Sequence, residues 1–199
     1  MQQKNQSRTN QARTDATRAA LLKAARRLFA EKGYAETSTP EIVRAAGVTR
    51  GALYHHFEDK EALFSGVVRQ EYERVAAEID KRAKGAPGSA IEALQQGSRA
   101  YLNAMEDKGR VRILLLDGPA VLGQLALDKI DRETSADTLR LGLEAAIREG
   151  AIWSLPLEAL TVQLSAMFDR CALAISEGED AEDHLRVMDA LISSLAGTQ

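Results

Sequence analysis

Apolar residues return at helical spacing through most of this chain, and the runs are separated by glycine, proline or polar clusters. The first run, 14–32, sets Ala20, Leu21, Ala24, Ala25, Leu28 and Phe29 on one face and stops at Gly33, a residue suited to the position after a helix. Thr37, Ser38 and Thr39 then offer hydroxyls for an N-cap, Pro40 suits a first turn, and Glu41 favours the positive helix end. A short helix through Ile42, Val43, Ala45 and Ala46 breaks at Gly47, and Thr49 is placed to cap a second one from Arg50 to about His56. Asp59 is a plausible cap for a longer helix over 60–84, apolar at Leu63, Phe64, Val67, Val68, Tyr72, Val75 and Ile79. Beyond the breaker Gly85-Ala86-Pro87-Gly88, the pattern predicts helices over 89–106, 110–117, 119–149, 157–177 and 181–196. Asp117-Gly118-Pro119 reads as a helix stop and restart, or as a functional turn. Gly123 and Gly142 each weaken the 119–149 segment by about 1 kcal/mol relative to alanine. No alternating run predicts a strand, so the fold class is all-α, with about nine helices.

Composition sharpens this in three places. Residues 1–13 are polar and rich in Gln and Asn, with no apolar core of a signal peptide, and are expected to form a disordered N-terminal arm. No stretch approaches the ~20 apolar residues of a membrane span. The single cysteine, Cys171, excludes an intrachain disulfide and fits a reducing, cytoplasmic setting. Charge is unevenly spread. The first sixty residues hold eleven Lys/Arg against six Asp/Glu, a balance of +5 in a chain whose net charge is −3, which leaves −8 for the remainder. A basic head on an acidic body suggests that the head alone meets a polyanion.

Within that head, 39–60 is a short helix, a glycine-containing turn and a second short helix. A helix-turn-helix needs this order, because the first helix braces the second while the second presents its N-terminal residues to base edges in the major groove. Ile42, Ala45, Val48 and Leu53 have the spacing of a small core between the two helices. Thr49, Arg50, Gly51, Tyr54 and His55 are left on the remaining face of the second helix. Arg50 can bond bidentately to guanine or clamp a phosphate, Gly51 permits close approach, and Thr49, Tyr54 and His55 can donate to phosphate oxygens. Lys60 is a nearby cation. A helical hairpin that touches no DNA has the same polar caps, so the pattern alone leaves that alternative open.

The run Ala24-Ala25-Arg26-Arg27-Leu28-Phe29-Ala30-Glu31-Lys32-Gly33-Tyr34, followed by Ile42-Val43-Arg44-Ala45-Ala46-Gly47-Val48-Thr49-Arg50-Gly51-Ala52-Leu53-Tyr54-His55-His56-Phe57, resembles the DNA-binding region of the tetracycline-repressor (TetR) family over about 14–65. The resemblance implies DNA contacts at Thr39, Thr49, Arg50, Tyr54, His55 and Lys60, with Gly51 packing close to the DNA. It puts Leu53 and Phe57 in the core and leaves His56 to cap or pack. Pro40-Glu41 departs from the family pattern at the start of the first short helix. The tail through Arg8 and Arg13 resembles arms that reach the minor groove in some relatives, although a solvated tail reads equally well.

By the same resemblance the chain divides into an arm (1–13), a DNA-binding domain (14–62) and a helical ligand-binding and dimerisation domain (63–199). Two apolar stripes support the last assignment: Leu157, Leu160, Leu164, Met167, Cys171 and Ala174 on one helix, and Leu185, Met188, Leu191, Ile192 and Leu195 on the next. Such faces need a partner, either a twofold mate or the chain's own core. An unknown small-molecule effector would lie among the middle helices, lined partly by Tyr101, Leu102, Met105, Leu114, Trp153 and Phe168. No catalytic residue, metal site or cofactor is expected. Cys171 and His184 are the only nucleophile–base candidates in the body and sit on apolar or loop-flanking helix positions, the adjacent His55 and His56 diverge by about 100° on a helix, and no phosphate loop or zinc spacing occurs. By this resemblance the sequence reads as a regulator, most simply a homodimeric repressor on a palindromic DNA operator, released by its effector. An activator of the same fold, or a helical binding protein with a relict head, are the alternatives.

Overall fold

The computed structural model describes residues 2–83, 88–134 and 136–196, with the backbone alone for 2–10, 83 and 136–137. The breaker at Gly85-Ala86-Pro87 and the side chain of Arg8 lie outside the described residues. Among the described residues, eleven α-helices and one π-helical segment follow in order: α1 (Gln2–Lys32), α2 (Thr39–Ala46), α3 (Arg50–His56), α4 (Lys60–Ala83), α5 (Ala90–Ala104), α6 (Lys108–Val111), the π segment (Arg112–Asp117), α7 (Gly118–Leu122), α8 (Gln124–Arg132), α9 (Ala136–Arg148), α10 (Leu157–Ser176) and α11 (Ala181–Ser194). The only strand-like feature among the described residues is a single antiparallel bridge, Ile152 to Ala196. No helix among them is long and apolar enough to cross a membrane.

Three expectations are corrected. The segment 1–13, expected as a disordered arm, is helical from Gln2 and continuous with α1. It contains no glycine or proline, and Gln, Lys and Arg are good helix formers. The single helix expected over 119–149 is three helices. Gly123 at φ 77° turns the chain between α7 and α8, a conformation only glycine adopts freely. Gly142, by contrast, stays inside α9, where a Cβ would press on Leu94.

The third correction is at Gly118-Pro119, where no helix stops. The chain passes from α6 to α7 through a π turn in which Gly118 N–H donates to Ile113 O. Pro119 has no N–H to give, and the wider turn accommodates that loss. A Cβ on Gly118 would stand 2.9 Å from the Ile113 oxygen, so the turn requires glycine.

The head packs on α1 and the first half of α4. Leu21, Leu22, Leu28, Ile42, Leu53, Leu63 and Val67 are buried, and Phe29, Tyr34 and Phe64 meet ring to ring at 5.0–5.7 Å. The small core of the helix pair is Ile42, Leu53 and half-buried Val48 and Ala46. Ala45, expected there, is exposed; Ala46 lies four residues from Ile42 and so shares its face. Glu41 closes α2 by accepting from Ser38 N–H at 3.0 Å and pairing with Lys32 at 2.7 Å. Lys32, then Ser38, hold the Glu41 carboxyl down at about 2.

Head and body meet around Glu71, a fully buried carboxylate on α4. It accepts from Arg26 of α1 at 3.3 Å, from Arg110 of α6 at 2.9 Å, and from Arg74 on its own helix. Arg110, itself buried, also donates to Ala104 O at the end of α5. Asp107 caps α6 through Gly109 N–H (2.9 Å) and pairs with Arg26. A second seam lies at the end of α1. Tyr34 N–H donates to Asp117 Oδ2 at 2.8 Å, and Arg112 donates to Glu31 O at 3.1 Å.

Removing one partner of a buried ion pair strands the other. Glu71→Ala should therefore cost about 3–5 kcal/mol in urea denaturation, while Asp183→Ala, in the exposed pair with Arg186, costs about 0.5 kcal/mol or less. Glu41 gives a pH signature. Its folded-state pKa lies below the ordinary 4.5, so its contribution is complete above that value and is lost as pH falls towards 2. Glu41→Gln, which imitates the protonated acid, should melt below wild type at pH 7 and converge with it near pH 2.

Candidate nucleic-acid interface and interior cavity

The tight turn between α2 and α3 is set by Gly47 at φ 67°, and Thr49 caps α3 by accepting from Ala52 N–H at 3.2 Å. Arg50, Gly51, Tyr54 and His55 are exposed along α3, with the Arg50 guanidinium 5.5 Å from the centre of the Tyr54 ring. Arg50, then Thr39, act on the Tyr54 hydroxyl and hold its pKa below the ordinary tyrosine value. The fold thus gathers Thr39, Thr49, Arg50, Gly51, Tyr54 and His55 on one open, polar face.

Lys60 is the exception. Its ammonium donates to Tyr34 O at 3.0 Å and Thr37 O at 3.1 Å and lies 4.0 Å from the Tyr34 ring centre. It is half-buried and holds the loop that leads into α2, so its charge is directed into the head. His56 is half-buried too; burial, then the charges of His55 and Arg18, push its pKa down.

The body holds a partly open cavity of about 350 Å³ between α4, α5, α9 and α10, with residues of the π segment and α8 in its wall. Of the six residues expected to line it, Tyr101, Leu114 and Phe168 do. Leu102 and Met105 are buried in the general core on other faces of α5 and its end, and Trp153 is 52% exposed at the surface, its backbone N–H donating to Leu195 O. The polar lining went unforeseen. Tyr101 donates its hydroxyl to Asp169, and Tyr72, Asp131, Thr161 and Ser165 share the wall. Burial raises the Asp169 carboxyl to about 6; the Tyr101 hydrogen bond opposes this shift, and the charges of Asp131 and Asp128 add to it. Burial, then Asp169, pushes the Tyr101 phenol well above its ordinary value. The available signal was Asp169 itself, a carboxylate directly after Met167 and Phe168 in an apolar helix.

The two stripes expected to face a twofold mate are mostly used within the chain. Leu164 is buried on α10, and Leu185, Met188 and Ile192 are buried because α11 lies on α5, where Gln95 donates to Ser193 Oγ at 3.0 Å and Arg99 pairs with Asp189. Leu157, Leu160, Met167, Cys171 and Leu195 are half-buried against the same core. What remains outside is Val162 on α10, Val187 and Leu191 on α11, and Trp153 and Leu155 before α10, each 42–63% exposed. The apolar pattern wraps more than one face of each helix, and periodicity cannot say which part turns inward. Cys171 has its thiol pushed up by burial, and His184 pairs with Glu179 at 3.0 Å. No group of His, Cys, Asp or Glu among the described residues is arranged to hold a metal.

Residues 21–67 match the model for bacterial regulatory proteins of the tetR family, and residues 91–198 match the tetracyclin repressor-like C-terminal domain. The chain is 38% identical over 90 residues to the HTH-type transcriptional regulator AcrR of Shigella flexneri, covering 45% of this chain and 41% of that relative. It is 24% identical over 185 residues to the HTH-type transcriptional repressor AcnR of Corynebacterium diphtheriae, covering 87% of this chain and 88% of the relative. A TetR-family transcriptional regulator from Pectobacterium atrosepticum superposes with a TM-score of 0.73 at 30% identity, over 94% of this chain and 97% of that one. With a matching head, a matching body and relatives that are transcription regulators and not enzymes, the chain belongs to the tetR family of DNA-binding bacterial regulators.

Proposed function

We propose that this regulator is a repressor that binds a palindromic operator as a homodimer and is released when a small molecule fills the cavity. The observation that carries the reading is the course of α4. Lys60 and Phe64 at its start belong to the head, Glu71 holds α1, and Tyr72, Val75 and Ile79 form cavity wall. A ligand that favours one placement of α4 thereby favours one placement of the reading helix. It can shift the balance only by binding the DNA-incompetent arrangement more tightly.

In this scheme the DNA-binding domain is 14–62 and the body 63–199, and the target sets the place of action, the cytoplasm and its nucleoid. Arg50 and Tyr54 read or clamp the major groove, Thr39, Thr49 and His55 meet phosphates, and Gly51 allows close approach. Lys60 acts at one remove, by fixing the loop before α2. The twofold mate covers Val162, Val187 and Leu191, with half-buried Leu157, Leu160, Met167, Cys171 and Leu195 beside them.

Fluorescence anisotropy with DNA from upstream of the protein's own gene tests the head. Arg50→Ala and Tyr54→Ala should each weaken binding about tenfold or more with unchanged melting temperature, and wild-type affinity should fall steeply with salt. Unchanged affinity in both variants removes the assigned face. Sedimentation velocity tests the mate: the double variant Val162→Glu, Leu191→Glu should be a folded monomer with poor operator affinity. A dimer that survives this double change refutes the interface.

A further inference from the structure

We propose that the interior cavity takes a hydrophobic organic cation, with its positive charge against Asp169 and its apolar part among Leu94, Leu114, Leu139 and Phe168. This rests on reading the cavity as the effector site and adds the chemical class of the occupant.

The size, about 350 Å³, falls within the range of small-molecule sites, and apolar walls with few polar groups are their usual make-up. The sign of the charge in the wall is the discriminating feature. Asp131, Glu149 and Asp169 line the cavity, and none of the described lining residues is Lys, Arg or His. An anionic ligand would bring a further negative charge beside Asp169 and Asp131, which already act on each other, with no cation among the described lining residues to meet it. Asp169 is the carboxylate best placed to act. The Tyr101 hydroxyl holds its Oδ1, and its Oδ2 has no hydrogen-bond partner among the described residues.

The aromatic wall suits the same guest. The rings of Tyr101 and Phe168 lie 6.0 Å apart, centre to centre, beside Asp169. An ammonium or other organic cation there gains from the ring faces as well as the carboxylate. Burial works against the charged form of Asp169 while the cavity lacks a cation, and a bound cation reverses that balance. A neutral apolar guest would fill the volume and leave the half-buried acid without compensation.

Isothermal titration of the full chain, without DNA, tests the class with three compounds of one skeleton: decylamine, 1-decanol and decanoate. Decylammonium should bind at least tenfold more tightly than either of the others. Asp169→Asn should lower its affinity at least tenfold and change that of 1-decanol less than threefold. Asp131→Asn should weaken the cation by a smaller factor, and it decides the matter should Asp169→Asn fail to fold. Equal or tighter binding of decanoate or 1-decanol overturns the proposal, as does cation affinity that the folded variants leave unchanged. Operator anisotropy with the same compounds separates the two readings. A cation that binds through Asp169 without altering DNA affinity keeps the ligand class and removes the effector role. Release of DNA by a compound other than the cation keeps the effector role and removes the class.

Discussion

The arrangement of this protein depends on one buried carboxylate. Glu71 is fully out of water, and burying a lone charge costs several kcal/mol, so α4 can occupy its place only with the arginines in theirs. Arg26 comes from the head helix, Arg110 from α6 in the body, and Arg74 from α4 itself. Hydrophobic burial has no direction. A carboxylate accepting from two converging guanidiniums fixes both where the helices touch and how they are turned. Arg110 extends the constraint to the end of α5 through Ala104 O, and Asp107 returns it to Arg26. The cavity behind α4 is the space left once these helices are fixed.

The head was legible because its signals are local. Glu41 three residues after Ser38, Gly47 in the turn, Thr49 before α3 and Asp59 before α4 each act within four residues, and the observed bonds close over those intervals. The body was less legible because its decisive features are contacts between distant segments. Nothing near Gly118-Pro119 announces a π turn, since the pair is equally good at ending a helix. The stripes on α10 and α11 identify apolar helices, yet only the docking of α11 on α5 decides that Met188 turns inward and Leu191 outward. Trp153 has the chemistry of a pocket residue and lies on the surface, while Asp169 has that of a surface residue and lines the cavity. Residue type reports solubility; place depends on packing.

Adjacent positions on α4 face different surroundings, as a helical step of about 100° requires. Glu71 looks to the arginines and Tyr72 to the cavity. A small rotation of the helix disturbs both at once. Packed interiors resist such motion until an alternative packing exists, so a ligand acts by choosing between arrangements. This gives the proposed release a physical route that needs no chain of intermediaries between cavity and head.

The bond from Tyr34 N–H to Asp117 bears on how freely the two halves can be exchanged. The end of α1 is finished by the body: Asp117 accepts a hydrogen bond from the amide just past Gly33, and Arg112 donates to the Glu31 carbonyl. A head moved to another member of the family carries neither group with it. Chimaeras cut between helix-turn-helix and body would therefore inherit a frayed seam, unless the 110–118 segment travels with the head. On this view the natural unit of recombination is discontinuous in sequence, a reading head together with the short π turn that closes it.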